Sequence, residues 1–141
     1  MKLKIRIFLC CILSLLLGSG LLFAQDTKTI QEKKIASRTV YEYFVEEGLD
    51  EPVVESVERY NERGDLLEIK EFSKEGEVKR WEKFVYDKEG RLVEEVYLDE
   101  KGRIERKEKN LYAEGLRVEK QFYNNKDKLY KRKIYKYEYR K

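Results

Sequence analysis

The sequence has no histidine and only two cysteines, Cys10 and Cys11, which both lie in an apolar N-terminal segment. Without histidine, the chain lacks the usual general base and a common ligand of zinc and copper. No serine stands in a G-x-S-x-G context, and each glycine of the later repeat stands alone in a turn rather than in a phosphate-binding loop. We therefore expect a non-enzymatic protein that binds no cofactor and no metal.

The N-terminal segment has the order of a secretory signal peptide. Three basic residues, Lys2, Lys4 and Arg6, precede a run from Ile7 to Gln25 that carries no charge. Signal peptides end with a small residue before the cleavage site, and Ala24 is such a residue. We therefore expect cleavage near Ala24. The alternative is an uncleaved membrane anchor, because the run is close to the roughly 17–25 residues that span a bilayer. The predicted divisions are a signal peptide (1–24), a polar leader (25–37) and a β-repeat domain (38–141).

Removal of the signal would change both the charge and the cysteine content. The full chain has 31 basic and 28 acidic residues, and the three bases of the signal would leave 28 of each. Balanced charge and export argue against a nucleic-acid partner. Both cysteines would also leave, and neither stands at the end of the apolar run, so we expect neither disulfides nor a lipid anchor. The sequence thus predicts a periplasmic or secreted protein that contacts the membrane only through an uncleaved signal.

A short repeat organises the chain after residue 60. Each copy has an aromatic or large apolar anchor, then Asp, Asn or Ser, two polar residues, Gly, one further residue and an aliphatic residue, as in Tyr86-Asp87-Lys88-Glu89-Gly90-Arg91-Leu92. The last two copies are degenerate: the fifth, which we align with Val118 as its aliphatic residue, is one residue short in its turn. The anchors are Tyr60, Phe72, Tyr86, Leu98, Tyr112 and Tyr123, and the turn glycines are Gly64, Gly76, Gly90, Gly102 and Gly115.

The repeat has the chemistry of a β-turn. Asp, Asn or Ser at its first position accepts a hydrogen bond from the backbone two residues later, and Gly at the fourth adopts positive φ. One turn in each unit of 11 to 14 residues leaves one strand per unit. With Arg38–Glu46 and Val53–Tyr60 as earlier strands, we predict an all-β fold. It is an antiparallel meander of about eight short strands in one twisted or curled sheet, after an N-terminal signal helix and a leader that is loose or forms a short helix.

The motif Tyr86-Asp87-Lys88-Glu89-Gly90 resembles the YD, or Rhs-type, repeats of exported bacterial proteins, and more distantly MORN-type repeats. The likeness extends over Tyr60–Leu129. The units here are shorter than typical YD repeats and lack the enclosing shell and toxin domain of the large family members. The resemblance implies a β-sheet scaffold outside the cytoplasm, sometimes carbohydrate-binding or part of a contact apparatus, and it transfers no catalytic residues.

The C-terminal stretch Lys128–Lys141 interleaves bases with tyrosines. Aromatic rings beside cations can stack on sugars and hold anionic polymers. The alternative is a last amphipathic strand whose lysines discourage edge pairing. Trp81 and Phe84 are secondary candidates, and Trp81 equally fits a core position. The candidate binding surface comprises Tyr130, Lys131, Arg132, Lys133, Tyr135, Lys136, Tyr137 and Tyr139.

Charge is segregated between the two ends of the repeat domain. Tyr41–Glu58 carries seven acids and no base, whereas bases predominate in Lys126–Lys141. We therefore expect a structural or binding scaffold of the envelope whose partner is an envelope protein or a glycan, with homo-oligomers through strand edges as a further expectation. One alternative is a small-ligand carrier or enzyme that uses an apolar cavity in a cupped sheet. Another is an inhibitor or immunity-type binder that docks by a strand edge.

Overall fold

The computed structural model describes residues 27–45 and 51–140, most of which form one antiparallel sheet of eight strands. Neighbours in the sequence are neighbours in the sheet, from β1 to β8, so the predicted meander is confirmed. The predicted signal segment lies outside the described residues. The strands are β1 Ser37–Glu42, β2 Val53–Tyr60, β3 Leu66–Phe72, β4 Val78–Tyr86, β5 Leu92–Leu98, β6 Ile104–Ala113, β7 Leu116–Asn124 and β8 Leu129–Ile134.

A short helix at 27–32 precedes β1 within the predicted leader. Its end is a Schellman motif, because the N–H of Ile35 donates to the carbonyl of Ile30 and the N–H of Lys34 to that of Gln31, both at 3.0 Å. Lys34 takes the left-handed position that glycine usually fills, with φ 53°. Ile30 is buried. β1 ends at Glu42. The predicted end of this strand, Glu46, lies outside the described residues.

The turns form as the repeat predicts, with one additional hydrogen bond. The Asp99 carboxylate accepts the N–H of Lys101 at 2.9 Å, as expected, and also that of Arg103 at 2.8 Å. The five turn glycines have φ between 78° and 84°. The sixth copy places Asp127 in the same conformation, at φ 59°. Asn61, Ser73 and Asn124 accept the same pair of backbone hydrogen bonds.

The anchor and the aliphatic residue of a repeat are direct partners across the hairpin. Tyr86 pairs with Leu92 and Tyr60 with Leu66, and the register shifts by one residue at each anchor. Such a shift is a β-bulge, which bends the strand and increases its twist. The fifth copy differs from prediction: Tyr112 pairs with Arg117 rather than Val118. Its shorter turn is the reason, because Glu114 and Gly115 both have positive φ, as in a two-residue hairpin loop.

Successive turns lie at opposite ends of the sheet, so the structural period is two repeats. Tyrosines at one end mark this period. The hydroxyl of Tyr86 donates to the carbonyl of Leu66 at 3.0 Å, and that of Tyr112 donates to Leu92 at 3.0 Å, in each case 20 residues earlier. Each bond joins neighbouring strands, β4 to β3 and β6 to β5. The two bonds tie each turn region to the one before it.

Burial is concentrated on one side of the sheet, which we call the front face. The register places Glu58, Ile69 and Glu82 directly opposite one another on it. Apart from Ile30 and the turn residue Gly64, every residue that is buried in the described part of the chain lies on this face, but few of these residues are apolar. The buried strand residues are Ser56, Glu58, Ile69, Glu82, Glu108, Asn110 and Phe122.

Two glycine substitutions test how the helix docks on the sheet. Gly76→Ala meets open space, so we expect only the cost of a left-handed alanine, about 1–2 kcal/mol. Gly64→Ala carries the same strain, and its added methyl group would overlap the carbonyl oxygen of Thr27. We expect a further loss of about 1–3 kcal/mol as the helix is displaced, measured by urea unfolding. Equal losses in the two variants would contradict the docking.

The hydrogen bonds of the turns make the fold sensitive to acid. A hydrogen bond from the backbone N–H of Arg103, aided by its guanidinium, lowers the pKa of Asp99 below its ordinary value. A lowered pKa in the folded state stabilises the fold above the unfolded pKa of about 3.9, and this contribution is lost as the pH falls through the folded pKa.

Asp99→Asn should remove this part of the acid sensitivity while keeping the turn, since Asn61 and Asn124 fill the same position. We expect the difference in unfolding free energy between wild type and variant to be largest at neutral pH and to shrink below about pH 4. Urea titrations from pH 7 to pH 3 measure it. Glu100→Gln is the control in the same turn, and a similar shrinkage in that variant would refute the assignment to Asp99.

Candidate functional site

The terminal strand β8 is exposed along its whole length. Its lysines nevertheless have structural contacts on the front face. Lys131 Nζ lies 4.7 Å and Lys133 Nζ 5.6 Å from the ring centre of Phe122, which belongs to β7. Lys120, also on β7, places its Nζ 5.6 Å from the same ring centre. The Tyr130 ring adds a tilted contact with Phe122 at 6.4 Å. These side chains cover the only buried aromatic ring among the described residues.

Arg132 points to the opposite side, which we call the back face. Its guanidinium donates to both carboxylate oxygens of Glu119, at 2.6 and 2.9 Å. This bidentate bond, with a second one from Gln121, lowers the pKa of Glu119. Arg132 is thus engaged in holding β8 to β7.

The segment after β8 is tied back to β7 through Arg117. The N–H of Tyr135 donates to the carbonyl of Val118 at 3.0 Å, and the Arg117 guanidinium lies 4.5 Å from the Tyr135 ring centre. The Tyr137 hydroxyl donates to the Arg117 carbonyl at 2.7 Å. Tyr139 is 77% exposed, and Lys136 is exposed beside it.

The predicted binding residues therefore form three groups rather than one patch. Tyr130, Lys131 and Lys133 lie on the front face, Arg132 lies on the back face, and Tyr135, Lys136, Tyr137 and Tyr139 lie on the segment that follows β8.

Cations of this region differ from those elsewhere in the sheet because most of them have no carboxylate partner. Arg38, Arg80 and Arg103 are typical of the rest, with a carboxylate oxygen within 3.0 Å. At the β8 end, Arg132 is the exception among the described residues 126–140. The cations there that form no ion pair with a described residue are Lys126, Lys128, Lys131, Lys133, Lys136 and Arg140.

Trp81 and Phe84, the secondary candidates, lie on opposite faces of β4 and cannot contact one partner surface together. Trp81 is half-buried on the back face. Its indole N–H donates to Glu68 at 2.7 Å, Lys70 Nζ lies 4.0 Å from its ring centre, and Gly102 packs against its edge. These contacts describe a packed structural residue.

A charge cluster on the front face was not evident from the sequence. Lys120 Nζ lies 2.6 Å from Glu108 and 3.1 Å from Glu95, and these two carboxylates are direct cross-strand partners. Burial by itself would lower the pKa of Lys120, but hydrogen bonds to Glu108 and Glu95 outweigh it and raise the pKa. The lysine therefore neutralises two like charges that face each other. Only the register, which depends on the bulges, brings these three residues together.

Lys120→Met should expose the repulsion between Glu95 and Glu108. Removing one member of a buried ion pair is costly, but water reaches this cluster, so we expect a loss of about 1–2 kcal/mol in urea unfolding. Adding Glu108→Gln to the Met variant should recover part of that loss, because one negative charge is gone. No recovery in the double variant would show that the loss comes from packing alone.

The grooves of the described surface are shallow and open. One of about 530 Å³ lies between the helix and the first turn, lined by Ile30, Lys34, Tyr60 and Asn61 among others. A second of about 530 Å³ lies at the opposite end, beside Asp99 and Arg103. Among residues 27–45 and 51–140, no cluster of acidic side chains is arranged to hold a metal ion. No helix in that part has the length and apolarity to span a bilayer.

Comparisons with known proteins assign no family to the chain: no protein-family model matches it, and neither does any curated protein.

Proposed function

We propose that this chain is an exported, non-enzymatic β-repeat protein that acts as a structural or binding scaffold in the envelope. Its binding surface is the β8 end, where it holds an anionic envelope protein or glycan. The observation that carries this proposal is the set of cations at residues 126–140 that lack carboxylate partners. Most of the described cations elsewhere pair with a carboxylate on the same element or a neighbouring one, whereas these are available to an anionic ligand.

The aromatic residues of this region support the same proposal. Tyr130, Tyr137 and Tyr139 are 58%, 44% and 77% exposed, so their rings are accessible to a sugar or a planar group. The backbone that carries them is anchored, because Tyr135 and Tyr137 are hydrogen-bonded to β7. An anchored surface loses less conformational entropy on binding than a loose tail would. The resemblance to YD repeats adds the expectation of a scaffold outside the cytoplasm.

The two alternative functions have different support. A carrier would need a concave site that encloses most of its ligand, and the grooves described above are open. An inhibitor or immunity-type binder would dock by an exposed strand edge, and β8 offers one. That function also predicts a specific protein partner, so identification of the bound molecule separates it from glycan binding.

A paired-charge experiment tests the scaffold proposal. Lys128→Gln with Lys136→Gln removes two unpartnered cations without disturbing the contacts of Phe122 or Glu119. The full chain would be expressed in its native host, and its retention in washed envelopes measured against salt concentration. We expect the variant to be released at lower salt than wild type, with a several-fold smaller retained fraction at physiological ionic strength.

The matched control is Lys79→Gln with Lys101→Gln, which removes one exposed lysine of β4 and one of the turn after β5. Neither lysine forms an ion pair with a described residue. The control should retain wild-type behaviour, and all three proteins should unfold at similar temperatures. Equal retention of the two double variants would refute the assignment of binding to the β8 end. Independently of that comparison, cross-linking and mass spectrometry of the retained wild type would identify the molecule to which it binds.

A further inference from the structure

The sheet has two open edges in the described part of the chain. β1 pairs only with β2 and β8 only with β7, so the sheet does not close on itself. An edge strand presents unpaired N–H and C=O groups that can accept another strand. Of the twelve large apolar side chains that are exposed, eight lie at these edges: Tyr41, Tyr43 and Val45 near β1, and Leu129, Tyr130, Ile134, Tyr137 and Tyr139 at the β8 end.

The backbone bonds show which groups point outward. Tyr135 donates its N–H to Val118 of β7, so strand alternation directs the N–H of Ile134 away from the sheet. At the other edge, the N–H of Tyr60 donates to the carbonyl of Ala36. Alternation then directs the N–H of Thr39 outward. Each edge therefore has a free backbone donor at a known residue.

The unpartnered charges near the two edges are mostly opposite in sign, with Lys33 and Lys34 before β1 and Glu138 after β8 as exceptions. The β8 end carries the cations named above. Near β1 and the start of β2, the carboxylates of Glu42, Glu51 and Glu55 form no ion pair with a described residue. Pairing of β8 with β1 would bring these opposite charges together, whereas pairing of two β8 strands would place lysines opposite lysines.

Because the number of strands is even, pairing β8 of one copy with β1 of another is geometrically simple. In an antiparallel meander of eight strands, β1 and β8 run in opposite directions. A second copy placed beside the first, rotated so that the twist of the sheet continues, therefore sets its β1 antiparallel to the first copy's β8. The front faces of both copies then lie on the same side, and the sheet continues with its normal hydrogen-bond pattern.

We propose that this protein self-assembles head to tail, with β8 of one copy pairing with β1 of the next. The contact is heterologous, so it leaves one β1 and one β8 free at the ends and extends into longer chains. The inference goes beyond the proposed scaffold function, because its partner is a second copy of the chain.

Two proline substitutions test the arrangement. Ile134→Pro removes the outward N–H of β8, and Thr39→Pro removes that of β1. Proline is tolerated on an edge strand where its missing N–H would face solvent, so both variants should fold. The controls, Ile134→Thr and Thr39→Ser, keep the N–H. Thermal unfolding of all four variants, each the full chain, would confirm that they are folded.

Sedimentation velocity over a concentration series measures the assembly. We expect wild type and both controls to form a ladder of oligomers that shortens as salt rises, and each proline variant to associate at least about tenfold more weakly. Mixing the two proline variants should restore association only as far as a dimer, because each supplies one intact edge.

Three outcomes would overturn the proposal. A wild type that stays monomeric at every concentration would refute self-assembly, and proline variants that assemble like wild type would exclude the strand edges. Loss of assembly in Ile134→Pro alone would indicate a symmetric β8–β8 dimer. None of these outcomes affects the envelope-retention result, which depends on Lys128 and Lys136, so the two proposals can fail separately.

Discussion

Register at five of the turns depends on the bond between one turn side chain and the backbone two and four residues later. In most single-sided sheets a hydrophobic face fixes the register, because a slip of one residue would expose it. Here only Ile69 and Phe122 are buried apolar residues of the described strands, so that selection is weak. The Asx-type or Ser turn replaces it. Once Asp99 has fixed its turn, Leu98 must pair with Ile104, and the bulge beside them follows.

Charged and tyrosine side chains replace most of the missing core. Isolated surface ion pairs contribute little, but here they link adjacent strands repeatedly, as Arg38 does with Glu58 and Arg80 with Glu71. Long stems and rings cover the pleated surface while their polar ends stay hydrated. The strands contact mainly their neighbours, so stability is distributed along the sheet in the manner of a repeat protein. A compact site enclosed on all sides is difficult to build in such an architecture.

The strand count and the turns follow from the sequence because turn chemistry is local. The side-chain bond of Asn61 and the positive φ of Gly64 depend only on residues of one repeat. The predicted binding surface fails as a single patch for a different reason. Alternation within a strand already separates its members, because Arg132 faces away from its lysine neighbours and Trp81 away from Phe84. Which residues of other strands share each face depends on the register that the bulges set. The Lys120 cluster requires the same knowledge of register across three strands.

The distribution of charge follows a rule that the edges leave incomplete. Within the sheet, a cation on one strand usually has its carboxylate on the same strand or the next, as Lys109 does with Glu94 and Arg132 with Glu119. An end strand lacks one neighbour, so its outward charges have no partner. They are predominantly acidic near β1 and predominantly basic near β8, so each end carries the kind of charge that a neighbouring strand would neutralise. The proposed head-to-tail contact would use the same interactions that join one strand to the next within the chain.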